Sequence, residues 1–152
     1  MELQWRVSPD GRNGYAKCGQ IKAYSFMRAF PGYVLDFRFF SPSSVLVDLA
    51  KTKEECKDLG EQHWQEFWHA AQTAPDNEWE LKQNDIIKTE HELHFRQTGI
   101  FTIRPDPANL RQLRTYFRYY SNGEAPIIAD TIWEAARQCK AYFRPWSLRF
   151  IE

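Results

Sequence analysis

The chain has 152 residues, with 20 Lys plus Arg against 20 Asp plus Glu, so no whole-molecule field draws it to nucleic acid or to an anionic membrane, and any electrostatic recognition must be local. Three cysteines, Cys18, Cys56 and Cys139, form an odd set with no close pair, which argues against a disulfide framework. The first residues carry no charged-then-apolar signal pattern, and no apolar run nears the ~20 residues of a membrane helix, so a reduced, cytoplasmic protein with no membrane partner is expected.

In chain order, Asn13-Gly14 marks a turn that allows a short first strand from Leu3 to Val7. Residues Tyr15 to Phe40 alternate as strands do, and Pro31-Gly32 breaks them into a hairpin, so the N-terminal third reads as an antiparallel meander. Thr52, with Glu55 three residues later, is a capping box, and Cys56, Leu59, His63, Phe67 and Ala70 recur at helical spacing, which predicts a helix over residues 53–71. The polar break Thr73-Ala-Pro-Asp-Asn follows, then a second hairpin from Leu93, Phe95, Ile100, Phe101 and Ile103.

Residues 106–123 read as a short two-faced helix. Asp106 suits the N-cap, Pro107 the first turn and Asn122-Gly123 a left-handed exit. Leu110, Leu113, Phe117 and Tyr120 would form the buried stripe, with Arg111, Arg114 and Arg118 beside it. A last helix begins at Asp130 or Thr131, carries Ile128, Ile132, Ala135, Cys139 and Tyr142 at helical spacing, and is expected to stop at Pro145.

Laying the two capped helices over each other places Thr52 on Thr131, Glu55 on Glu134, Trp64 on Phe143 and Phe67 on Trp146, the pattern of a duplicated strands-then-helix unit. The expected fold is α+β, with one or two antiparallel sheets packed by about three helices. It is read as one compact domain over residues 1–152, with halves 1–74 and 75–152. A strand meander leading into a Thr-x-x-Glu-capped helix with Trp64 and Trp68 near its end, over residues 15–70, resembles small uncharacterised proteins of phages and other mobile elements. The resemblance implies an accessory protein that acts by binding.

The chemistry-bearing residues give little. His91 and His94 lack the spacing of four that puts two zinc ligands on one helix face, and on a strand they point to opposite sides, so no metal is expected. His63 and His69 are read as half-buried and solvated. Cys56 and Cys139 fall on apolar stripes, where cysteine is an inert small hydrophobe. None of the 7 glycines sits in a phosphate-cradling arrangement, and no cofactor is expected.

The acidic stretch Glu78, Glu80, Asp85, Glu90 and Glu92 precedes the basic one, and mutual neutralisation across the fold is the plain reading of the two. The functional reading is a non-catalytic protein that engages a protein partner through Arg104, Arg111, Arg114, Tyr116, Arg118 and Tyr119, residue types enriched at interfaces. Two alternatives stand beside it: nucleic-acid binding by the same face, and an enzyme with a dispersed site at His91, Glu92 and His94.

Overall fold

The computed structural model describes residues 2–40, 44–73, 76–119 and 127–151, and the chain divides into two compact units, Met1–Ala70 with Arg149–Glu152, and Ala71–Leu148. Both follow one plan, in which five antiparallel strands pair in sequence order and a helix follows. The class is α+β. Two α-helices, not about three, occur among the described residues, because the segment expected to form the middle helix is a strand.

The first unit holds β1 (Gln4–Val7), β2 (Asn13–Cys18), β3 (Ile21–Ala29), β4 (Gly32–Phe37) and β5 (Val45–Ala50), followed by the start of α1 (Lys53–Thr73). The Pro31-Gly32 turn joins β3 to β4 as expected. The Asn13-Gly14 pair instead opens β2, and the turn lies at residues 8–12, where Asp10 Oδ1 accepts from Ser8 Oγ and from Arg12 N. Strand alternation sends Tyr24, Phe26, Leu35 and Phe37 to the face that meets α1, where they are fully buried. Phe37 lies 4.9 Å from both His63 and Phe67, and Tyr24 lies 6.2 Å from Trp64. The Tyr24 hydroxyl sits 2.7 Å from His63 Nδ1, so the half-buried histidine gives this buried phenol its polar partner. Thr52 Oγ1 accepts from Glu55 N, and the Glu55 carboxylate reaches back to Lys51 N, closing the first turn of α1.

The second unit holds β6 (Trp79–Gln83), β7 (His91–Phe95), β8 (Thr98–Asp106), β9 (Asn109–Phe117) and β10 (Ile128–Ala129), then α2 (Ile132–Ser147). Thr131 caps α2 by accepting from Glu134 N. Pro145 does not stop this helix, which runs on to Ser147. The core joins Ile103, Ala129 and Ala135, and α2 also packs Phe143 and Trp146 against Phe117 and Phe101.

β9 replaces the expected arginine helix for a local reason. Asp106 Oδ1 accepts from Ala108 N, and Asn109 Oδ1 accepts from Arg111 N. The Asp-Pro-Ala-Asn sequence that imitates a helix start therefore closes a tight β8–β9 turn. Beyond it Leu113, Thr115 and Phe117 alternate inward, while Leu110, assigned to the buried stripe, is 77% exposed. Tyr120, Asn122 and Gly123 lie outside the described residues.

Candidate functional site

The register of the second sheet decides where the expected binding residues go. Arg104 pairs with Arg114 and Thr102 with Tyr116 across β8 and β9, so alternation puts Arg104, Arg114, Tyr116 and Arg118 on the face turned away from α2. Arg111 and Tyr119 belong to the other parity. Arg111 is exposed beside the β8–β9 turn, and Tyr119 packs on the α2 side, 4.7 Å from Trp146 and 5.8 Å from Phe117. Four of the six expected residues are therefore brought together and two are not.

Two of the gathered arginines, Arg104 and Arg118, already have carboxylates, as does Arg96 at the β7–β8 turn. Arg118 binds Glu92 at 2.5 Å, Arg104 lies 3.4 Å from Glu90, and Arg96 lies 3.3 Å from Glu78. The acidic stretch thus folds onto the basic one, on β7 and the ends of the neighbouring strands. Arg104 also covers the Tyr116 ring at 4.9 Å, a cation held over a π-face. Arg118 keeps only 18% of its side-chain exposure. This face is a charge network closed on itself, not a bare cationic surface.

The histidines separate as strand parity requires. Leu93 and His91 share one side and Glu92 and His94 the other, because Leu81 pairs with Leu93 and Glu80 with His94. Glu92 Oε1 lies 3.4 Å from His94 Nε2. The same oxygen receives Arg118, and the residue opposite Glu92 is the buried Thr102. A histidine and a carboxylate meet here, and the carboxylate oxygen nearest the imidazole is already engaged by Arg118. Burial pushes the Cys56 thiol up to about 11, with the Glu55 charge adding to it, and the Cys139 thiol up to about 12. Neither can supply thiolate near neutral pH. Among the described residues, no group of three His, Cys, Asp or Glu side chains is placed to hold a metal ion.

Two other surfaces stand out. On the first sheet, Met27, Val34 and Leu49 lie directly across from one another on β3, β4 and β5. A register shift after Leu35 brings Leu46, opposite Asp36, onto the same side. This is the side away from α1, and Met27, Leu46 and Leu49 are each more than half exposed. Phe30, at the β3–β4 turn, is 89% exposed.

The other surface is a groove of about 670 Å³ in the second unit, lined by Asp76, Trp79, Leu81, Trp133, Lys140 and Arg144 among others. Helix width explains it. A helix about 10 Å across cannot cover five strands spaced about 4.8 Å apart. Since α2 packs mainly on β8, β9 and β10 and reaches β6 and β7 through Phe143, the groove follows the margin between α2 and the β6 edge.

Comparison of the chain with family models, curated proteins and solved structures finds no match. The surfaces themselves must carry the functional argument. No helix among the described residues is long and apolar enough to cross a membrane.

Sequence reasoning passed over both the apolar sheet face and the groove. The face needs the β4–β5 register shift, and β5 was not foreseen. The groove joins Trp79 to Trp133, far apart in sequence. Its one legible signal was the helical stripe Trp133, Arg137, Lys140, Ala141 and Arg144.

Proposed function

We propose that the chain is a non-catalytic binding protein whose partner is another protein, an accessory role of the kind the phage resemblance implies. The observation that carries this reading is the exposed apolar face of the first sheet. Four large aliphatic side chains, Met27, Val34, Leu46 and Leu49, adjoin across three strands with Phe30 at the turn nearby. Scattered surface hydrophobics need no explanation, but contiguous ones rimmed by polar groups mark interfaces. The rim is present: Arg38 Nε donates to Ser25 Oγ at 2.5 Å, and Arg38 lies 4.0 Å from Asp36. The buried thiols Cys56 and Cys139 fit a reducing, cytoplasmic setting.

Nucleic-acid binding by the arginine face is the weaker reading. Phosphates would have to displace Glu90 and Glu92 from Arg104 and Arg118 before gaining anything. Reversing Arg118 to Glu would also set a carboxylate against Glu92, so that substitution damages the fold and cannot report on binding alone.

The test replaces Leu46 and Leu49 together by Glu, both exposed enough to leave the core untouched, and confirms the fold by circular dichroism. Wild-type protein should capture a discrete, nuclease-resistant protein from host lysate, and the double variant should lose it. Undiminished capture by the variant, or capture that nuclease abolishes, would reject this assignment.

A further inference from the structure

The groove beside α2 differs in kind from the apolar sheet face and does not depend on it. Its floor is apolar, made by Leu81 and Leu93 of the sheet and Ala136 of the helix, and a tryptophan stands on each side. Trp79 is held by Phe95 at 4.8 Å and Phe143 at 5.5 Å. Trp133, in the first turn of α2, is 74% exposed. A tryptophan left exposed beside an apolar groove is a preformed anchor contact, since indole supplies large rigid area at small entropic cost. The volume is within the range of about 300–1,000 Å³ typical of ligand pockets.

Charge selects the occupant. Arg137, Lys140 and Arg144 line the groove from the helix, against the single carboxylate of Asp76. Arg137 is engaged, its guanidinium holding Glu134 at 3.0 and 2.6 Å. Lys140 is held loosely, 3.5 Å from an Asp76 that is 90% exposed. The Arg144 side chain is exposed, one turn beyond Lys140 with the small Ala141 between them. Two cations one turn apart above an apolar slot fit carboxylates flanking a buried apolar side chain.

A continuous polyanion fits worse. The sheet-side border carries Asp76, so a phosphate backbone that crossed the groove from the helix cations would meet a carboxylate there.

We propose that this groove binds an acidic peptide segment, which inserts one large apolar side chain between Trp79 and Trp133 and sets its carboxylates on Lys140 and Arg144. A random peptide library displayed on phage is selected against the full chain, and enriched peptides are measured by fluorescence anisotropy. The expected consensus is an aromatic or large aliphatic residue flanked by Asp or Glu. Replacing the flanking acids by Asn and Gln should weaken binding about tenfold, one power of ten in Kd. Trp133→Ala should weaken it at least about thirtyfold, as loss of an interface anchor does. Lys140→Glu with Arg144→Glu should abolish it, whereas Leu46→Glu with Leu49→Glu should leave it intact. All these positions are at the surface, and circular dichroism confirms that the variants fold. Three outcomes overturn the proposal: no enrichment over the Trp133→Ala protein, a consensus without acidic residues, or displacement of the peptides by a single-stranded oligonucleotide at lower concentration.

Discussion

Gly60 shows how one missing side chain can set the packing of a unit. It lies inside α1, where Ala would ordinarily be favoured by about 1 kcal/mol. A Cβ built there would sit 2.5 Å from Trp5 Cη2 and 2.7 Å from Cζ2. The indole cannot retreat cheaply, because its Nε1 donates to Glu61 Oε1 at 2.9 Å and its ring stacks on Tyr24 at 6.0 Å. Overpacking should therefore outweigh propensity, and Gly60→Ala is predicted to cost about 1–3 kcal/mol in urea denaturation. In a Trp5→Leu background the clash is gone and the same change should be neutral or stabilising. A loss as large as in wild type would show that the indole contact is not the cause. At this scale the sequence is legible only where a residue announces its conformation. Pro31-Gly32 did so, whereas the β7–β8 turn is made by Arg96 and Gln97 at φ 48° and 69°, left-handed values that neither residue type advertises.

Element by element, the Thr-x-x-Glu boxes were legible, whereas the Asp106-Pro107 cap signal belonged to a strand turn. Thr52 with Glu55 located the first helix start, and of the two caps read for the last helix, Asp130 or Thr131, Thr131 is the one that bonds Glu134 N, a contact between residues close in sequence. The β9 segment failed because Leu113 and Phe117, four apart, satisfy a helical stripe and a strand face equally. Pairing with β8 and β10 resolved what the pattern alone could not. Arg104, Arg114 and Arg118 share one face, and the partners of Arg104 and Arg118, Glu90 and Glu92, come from β7 and the residue just before it and pair with them only through the sheet register.

The α2 start yields a pH prediction. Arg137, then Gln138, hydrogen-bond Glu134 and hold its carboxyl at about 2, below the ordinary 4.5. A depressed folded-state value stabilises the fold at pH above the unfolded value, and the contribution fades as pH falls from about 4.5 toward about 2. Wild type should thus have the higher urea midpoint than Glu134→Gln near neutral pH, and the two should converge across that interval. A constant gap would mean that the carboxylate charge is not what matters there.

For the whole molecule, the aromatic excess went inward. Trp64, Phe67, Trp68 and Phe40 are buried in the first unit, where Trp68 stacks on Phe150 at 4.2 Å, and Phe101, Phe117 and Phe143 are buried in the second. Flat rings at edge-to-face angles let one helix and one meander close a core with few residues. The three cysteines report on these cores: Cys18 on β2 and Cys56 on α1 for the first unit, Cys139 on α2 for the second. All three are nearly or wholly inaccessible, so iodoacetamide should modify none of them at a rate approaching that of the unfolded chain. In rising urea, Cys18 and Cys56 should become reactive at one shared midpoint, because the sheet and helix that cover them share the cluster of Tyr24, Phe37, Trp64 and Phe67. Site-resolved mass spectrometry checks this. If Cys18 reacted at lower urea than Cys56, the β1–β2 hairpin would be peeling from a core that survives without it. The aromatic cluster, rather than the five-strand order, would then be the cooperative element of the first unit.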